Sequence, residues 1–123
     1  MRKIVLLLLA LLPFIGTGAQ VVFKNEDVTV SKLKDRTWVF ETWDNTTMYL
    51  LEGNDRAALI DAGTRCADLD KIVEGITSKP YDVIITHAHP DHAGCIGYFD
   101  EVWMHRNDSV LIKERTKDYR GTV

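Results

Sequence analysis

Tyr81-Asp82-Val83-Ile84-Ile85-Thr86-His87-Ala88-His89-Pro90-Asp91-His92 passes from apolar chain straight into a histidine cluster. Val83-Ile84-Ile85 shows no polar alternation, the pattern of a strand covered on both faces. The cluster begins where that strand ends, and the carboxyl ends of strands are where α/β sheets place their sites. His87 and His89 flank a single residue, so in extended chain both imidazoles point to one side and can bind one metal ion. Pro90 bends the chain, and Asp91 and His92 beyond it can face a second ion. Imidazole nitrogen with a carboxylate oxygen suits Zn2+ and is a poor set for calcium or magnesium, which want oxygen. Two such ions about 3.5–4 Å apart can hold a bridging hydroxide and polarise a carbonyl or phosphoryl oxygen. A surface loop rich in histidine by chance is the bland alternative. Three histidines and an aspartate at this spacing, at a strand end, favour the metal site.

Upstream, Val28 and Val30 alternate with Thr29, and Thr37–Thr42 and Thr47–Glu52 are rich in β-formers. Gly53-Asn54-Asp55-Arg56 reads as a turn and Ala57–Asp61 as a further strand, which makes a hairpin. The period then changes. Leu69, Ile72, Val73 and Ile76 fall at i, i+3, i+4 and i+7, one face of a helix that Lys79-Pro80 ends. Downstream of the cluster, a short helix is expected around Ala93 to Tyr98 and a buried strand at Val102-Trp103-Met104. A helix capped by Asn107 should begin at Asp108. Lys113 to Val123 is mostly charged and has no periodic partner. Strands, then helix and strand in alternation, indicate an α/β layered domain.

The chain of 123 residues allows one domain at most, and 46% hydrophobic with 27% charged residues is ordinary globular composition. Its first residues differ. Met1-Arg2-Lys3 is positive, Ile4 to Leu12 is uninterrupted apolar chain, and Thr17-Gly18-Ala19 offers small residues to a signal peptidase. This is the layout of a secretory leader over residues 1–19, with residues 20–123 as the mature domain. The apolar run falls short of the ~20 residues a membrane span needs, so no stable membrane anchor is expected. The net charge is −3, and loss of Arg2 and Lys3 makes the remainder more acidic still, which argues against nucleic acid or anionic lipid as partner. Cys66 and Cys95 are the two cysteines. Export would permit a disulfide, but spacing alone does not give the Cα separation a bridge requires, so pairing stays open.

His87-x-His89-x-Asp91-His92 resembles the signature of the metallo-β-lactamase superfamily. Leu59-Ile60-Asp61-Ala62-Gly63 is similar to the family's upstream strand ending in Asp-x-Gly, while Ala93-Gly94-Cys95 departs by placing Cys95 where a glycine is common. The likeness spans residues ~28 to ~112. It implies an α/β fold, the αββα sandwich, with only its N-terminal ββα half present. It implies two zinc ions per complete domain, His87 and His89 on the first and Asp91 and His92 on the second. Asp91 would also act catalytically by orienting the nucleophile and managing its proton. Asp61 would steady the histidine loop without touching the metal, although a strand-end carboxylate capping its own turn is comparable. The family's remaining ligands come from a second half. His105, the remaining histidine, is rejected as a substitute, because the matching position in the family is not a ligand. A fragment is therefore expected. The implied activity is an exported zinc hydrolase that turns metal-bound hydroxide on a small-molecule ester, thioester, lactone, lactam or phosphoester. One alternative is a β-lactamase with a histidine in its second zinc site. The other is an inactive truncated remnant that binds metal weakly or not at all.

Overall fold

The computed structural model describes residues 18–119. The leader expected over residues 1–19 therefore lies almost wholly outside the described residues. Among the described residues, no helix is long and apolar enough to cross a membrane.

Six strands form one sheet in sequence order: β1 (Gln20–Lys24), β2 (Val28–Lys34), β3 (Thr37–Thr42), β4 (Thr47–Glu52), β5 (Ala57–Ile60) and β6 (Tyr81–Ile84). The first five pair antiparallel through short turns. Arg36 (φ 56°) and Asn45 (φ 64°) take left-handed backbone in two of these turns. Asparagine tolerates that region readily. β6 pairs parallel with β5, because helix α1 (Leu69–Ile76) carries the chain back across the sheet. Its predicted apolar face holds, with Leu69, Ile72 and Val73 buried.

Strand alternation sends every second side chain to the helix-covered face. In register across the sheet, Val30, Phe40 and Met48 form one buried row, and Trp38, Leu50, Leu59 and Val83 form another. Both rows belong to one core cluster with Leu69, Ile72 and Val73. Burying each such Leu, Ile or Phe side chain is worth about 1.5–3 kcal/mol. The opposite face carries a third row, Val39, Tyr49, Ile60, Ile84 and Trp103. Here Tyr49, Ile84 and Trp103 are 39%, 38% and 58% exposed.

That row corrects two expectations. Val83 and Ile85 are buried, but Ile84 between them faces the open side, so the strand is covered on one face. Val102-Trp103-Met104 is not a buried strand. It contributes a single parallel bridge, Trp103 to Ile84, and Trp103 is 58% exposed, the most of any large apolar side chain among the described residues. Two other elements differ in their ends. The helix expected at 93–98 is split into α2 (Pro90–Ala93) and a 3-10 turn (Ile96–Tyr98), and the last helix, α3 (Arg106–Tyr119), starts ahead of Asp108. Proline at the first position of α2 explains its early start, since φ is already helical and no amide is lost. His105, not Asn107, terminates α3: its carbonyl accepts from Asp108 and Ser109, and its Nδ1 accepts from the Asn107 amide. β1 had no counterpart in the sequence reading.

Candidate metal centre

The carboxyl ends of β3, β5 and β6 lie at one end of the sheet, because β3 and β5 are both antiparallel to β4, and β6 is parallel to β5. Asp61 leaves β5 with a left-handed φ of 67°, a conformation that costs ordinary residues free energy and that aspartate adopts more readily than most. Its buried carboxylate reaches the start of the histidine loop. Oδ1 accepts from the Thr86 amide at 2.8 Å and from Thr86 Oγ1 at 2.9 Å. Oδ2 lies 2.7 Å from His92 Nδ1.

Counting protons assigns a hydrogen to Nδ1 of both rings. An ionised carboxylate only accepts, so His92 Nδ1 carries a hydrogen, while its Nε2 faces the Asp91 carboxylate. Thr86 Oγ1 has one hydrogen. Given to Asp61, it leaves Oγ1 to accept from His87 Nδ1 at 3.0 Å, which puts a hydrogen on that Nδ1 as well. One carboxylate thus orients two imidazoles, one directly and one through a threonine. Thr86 had been read only as the strand's last residue; its hydroxyl was not foreseen as a relay.

The loop gathers the residues singled out by the sequence. His87 and His89 rings are 4.7 Å apart between centroids, and His87 and His92 rings are 4.1 Å apart. Asp91 Oδ2 lies 3.3 Å from His92 Nε2. His89 sits at the head of α2, where its carbonyl accepts from the His92 and Ala93 amides. His105 stands apart, exposed at the head of α3. Among the described residues, no three His, Cys, Asp or Glu side chains converge on one metal position. The donor chemistry itself fits zinc: three imidazoles and a carboxylate within a few ångströms, two of the rings with Nδ1 held from behind.

A second loop backs this one. Ala62 N donates to His92 O at 2.8 Å, Gly94 N to Gly63 O at 2.7 Å, and Cys95 N to Ala62 O at 3.1 Å. The approach is so close that a Cβ on Gly94 would lie 2.1 Å from Thr64 O and 2.6 Å from Gly63 O. Only glycine fits there. The β3–β4 turn is tied to the same loop. Asp44 accepts from Thr64 Oγ1 at 2.5 Å, and also from the Thr42 and Thr46 hydroxyls, which hold its carboxyl well below the usual carboxylate range. Buried Asp27 accepts from the Ala67 amide and pairs with Arg65, whose guanidinium lies 5.1 Å over the Trp43 ring. Nothing in the sequence links Asp44 to Thr64. Both cysteines are buried here as free thiols, and the Cys66 amide donates to Cys95 Sγ at 3.0 Å.

Comparison with known proteins agrees with this architecture. The profile described as the metallo-beta-lactamase superfamily matches residues 42–119. A curated relative, acyl-coenzyme A thioesterase MBLAC2 of Gallus gallus, is 28% identical over 82 residues, covering 59% of this chain and 30% of the relative. Among solved structures, a metallo-β-lactamase from Erythrobacter litoralis superposes with a TM-score of 0.60 at 20% identity, covering 75% of this chain and 47% of the other. The DIM-1 metallo-β-lactamase gives 0.62 at 15% identity, with coverage of 73% and 47%. The chain thus spans under a third of the curated relative and about half of each of these solved structures. With its sheet, its helix-backed face and its profile match taken together, the chain belongs to the metallo-β-lactamase superfamily and forms the N-terminal part of that fold.

Proposed function

We propose that this chain supplies the metal-binding loop of an exported zinc-dependent hydrolase acting on a small-molecule acyl or phosphoryl compound. The observation that carries the reading is the grip of Asp61 on Thr86 and His92, which holds Nδ1 of His92 and, through Thr86, of His87, so that Nε2 of each ring is the atom left to meet a metal. His87 and His89 would hold a first zinc ion, and Asp91 and His92 a second. Bound zinc supplies Lewis acidity, polarising the substrate oxygen and acidifying water. Asp91 holds the attacking water in line and takes up its proton. Asp61 keeps the rings in the tautomer that binds metal. The superfamily match supports this reading over an inert remnant.

Among the candidate substrates a thioester comes first, because the curated relative bears a thioesterase name. A β-lactam is the second reading, favoured by the fold likeness to solved metallo-β-lactamases. Export rests on the Met1–Ala19 pattern, and N-terminal sequencing of the exported product should find Gln20 first.

The test uses the full-length protein carrying this sequence. Elemental analysis should find close to two zinc ions per complete domain, with one lost in His87→Ala and in His89→Ala. Acyl-coenzyme A hydrolysis followed by thiol release should exceed turnover of a chromogenic cephalosporin. Unchanged zinc in both variants would sink the ligand assignment, and cephalosporin turnover above thioester turnover would transfer the reading to the lactam.

A further inference from the structure

Cys66 and Cys95 are buried, 1% and 5% exposed, and none of the chemistry above uses them. They sit on the two loops that the site requires to stay together. Cys66 lies in the loop that runs from Asp61 to α1, and Cys95 follows the end of α2, three residues after His92. The 3.0 Å contact from the Cys66 amide to Cys95 Sγ, with standard bond lengths, holds the two Cα atoms within about 7 Å. That bound reaches the upper edge of the separation a disulfide spans. We infer that Cys66 and Cys95 form an intramolecular disulfide that staples the Asp61 loop to the histidine loop when the chain folds under oxidising conditions.

The oxidant is a small disulfide such as oxidised glutathione, or a protein dithiol–disulfide exchanger. One cysteine, as thiolate, attacks the oxidant's sulfur, forming a mixed disulfide and releasing one reduced thiol. The second cysteine loses its proton and displaces the remaining half, releasing a second reduced thiol. Two electrons leave the protein and two protons pass to solvent and leaving thiols. Timing follows from burial. In the folded chain burial pushes Cys66 up to about 12 and Cys95 to about 11, so the thiolate needed for exchange is scarce. The bond therefore forms before the loops close, and afterwards the same burial shields it from external thiols. It encloses α1, β6 and the histidine loop, so it removes freedom from the unfolded chain across the segment that builds the site.

The test refolds the full chain in a glutathione redox buffer, then alkylates it under denaturing conditions and weighs it intact. The expected product is a monomer with neither cysteine alkylated, whose tryptic map joins the Cys66–Lys71 peptide to the peptide carrying Cys95. It should melt several degrees above the same chain reduced, and the shift should vanish in Cys66→Ala and, separately, in Cys95→Ala. Two alkylated cysteines, two glutathione adducts, or a disulfide-linked dimer would each overturn the inference. Because no metal or substrate enters the experiment, its failure would leave the hydrolase reading untouched.

Discussion

The two ends of the sheet are held together by different forces. At the end that carries the histidines, buried or half-buried carboxylates each bind several partners: Asp61 holds Thr86 and His92, Asp44 holds three threonines, and Asp27 holds Arg65 and the Ala67 amide. At the other end most ties are surface pairs, Arg56 with Asp82 and Arg36 with Asn54, beside one half-buried carboxylate, Glu52, which accepts from the Thr77 hydroxyl and faces Lys79. Charged hydrogen bonds shielded from water are worth about 1.5–3 kcal/mol each, whereas exposed ion pairs are screened and often contribute nothing measurable. The sheet could fold with ordinary turns at both ends. The histidine end instead invests its polar groups in fixing loops, as a site whose donors must be held in place requires.

This contrast can be broken by substitution. Gly94→Ala should have the largest effect, about 3 kcal/mol or more, because the added carbon meets backbone oxygens that cannot rotate away. Urea denaturation measures it, and a loss under 1 kcal/mol would mean that the two loops are not tied as described. Asp61→Ala should follow at about 2–3 kcal/mol, since it strands the Thr86 amide and the His92 ring. It should also weaken zinc retention against a chelator in the full-length protein, a readout that general loosening at the far end would not move.

Asp44→Asn should cost less, on the order of 1 kcal/mol, and its signature is in acid. The folded state holds the Asp44 carboxyl below its unfolded value near 3.8, so its stabilisation is fully present above that pH and is lost as pH falls towards the folded value. Melting temperatures of the wild type and the variant should therefore differ at pH 6, begin to converge only below about pH 4, and keep closing as pH falls further. A constant gap would assign the effect to packing. Arg56→Ala, at the opposite end, should change stability least, within the error of a melt in moderate salt. If it destabilised more than Asp44→Asn, the contrast between the ends would be false.

Much of this was legible in the sequence, and the reasons are local. Leu69, Ile72, Val73 and Ile76 are periodic within one turn or two, and Thr37–Thr42, Thr47–Glu52 and Ala57–Ile60 are bounded by turn residues, so each element declares itself. The clustering of His87, His89, Asp91 and His92 was equally plain, because all four lie in one short loop. What stayed hidden depends on distant partners. Asp27 meets Arg65 across 38 positions and Asp44 meets Thr64 across 20, and no periodicity marks such pairs. β1 was missed because Val21-Val22-Phe23 lacks alternation and follows the leader pattern directly. Val102-Trp103-Met104 was misjudged because apolar character does not say which face of a sheet a residue will find.

The row of Val39, Tyr49, Ile60, Ile84 and Trp103, open at three of its positions, has a consequence for how the chain unfolds. Sensitivity to denaturant, like the heat capacity of unfolding, scales with the surface newly exposed when structure is lost. Tyr49, Ile84 and Trp103 are already partly wet in the folded state, so melting the sheet uncovers little more of them. This chain should therefore unfold with a shallower denaturant slope and a flatter stability curve than a domain of equal length whose sheet is covered on both sides. Whatever layer comes to lie over that row would steepen both.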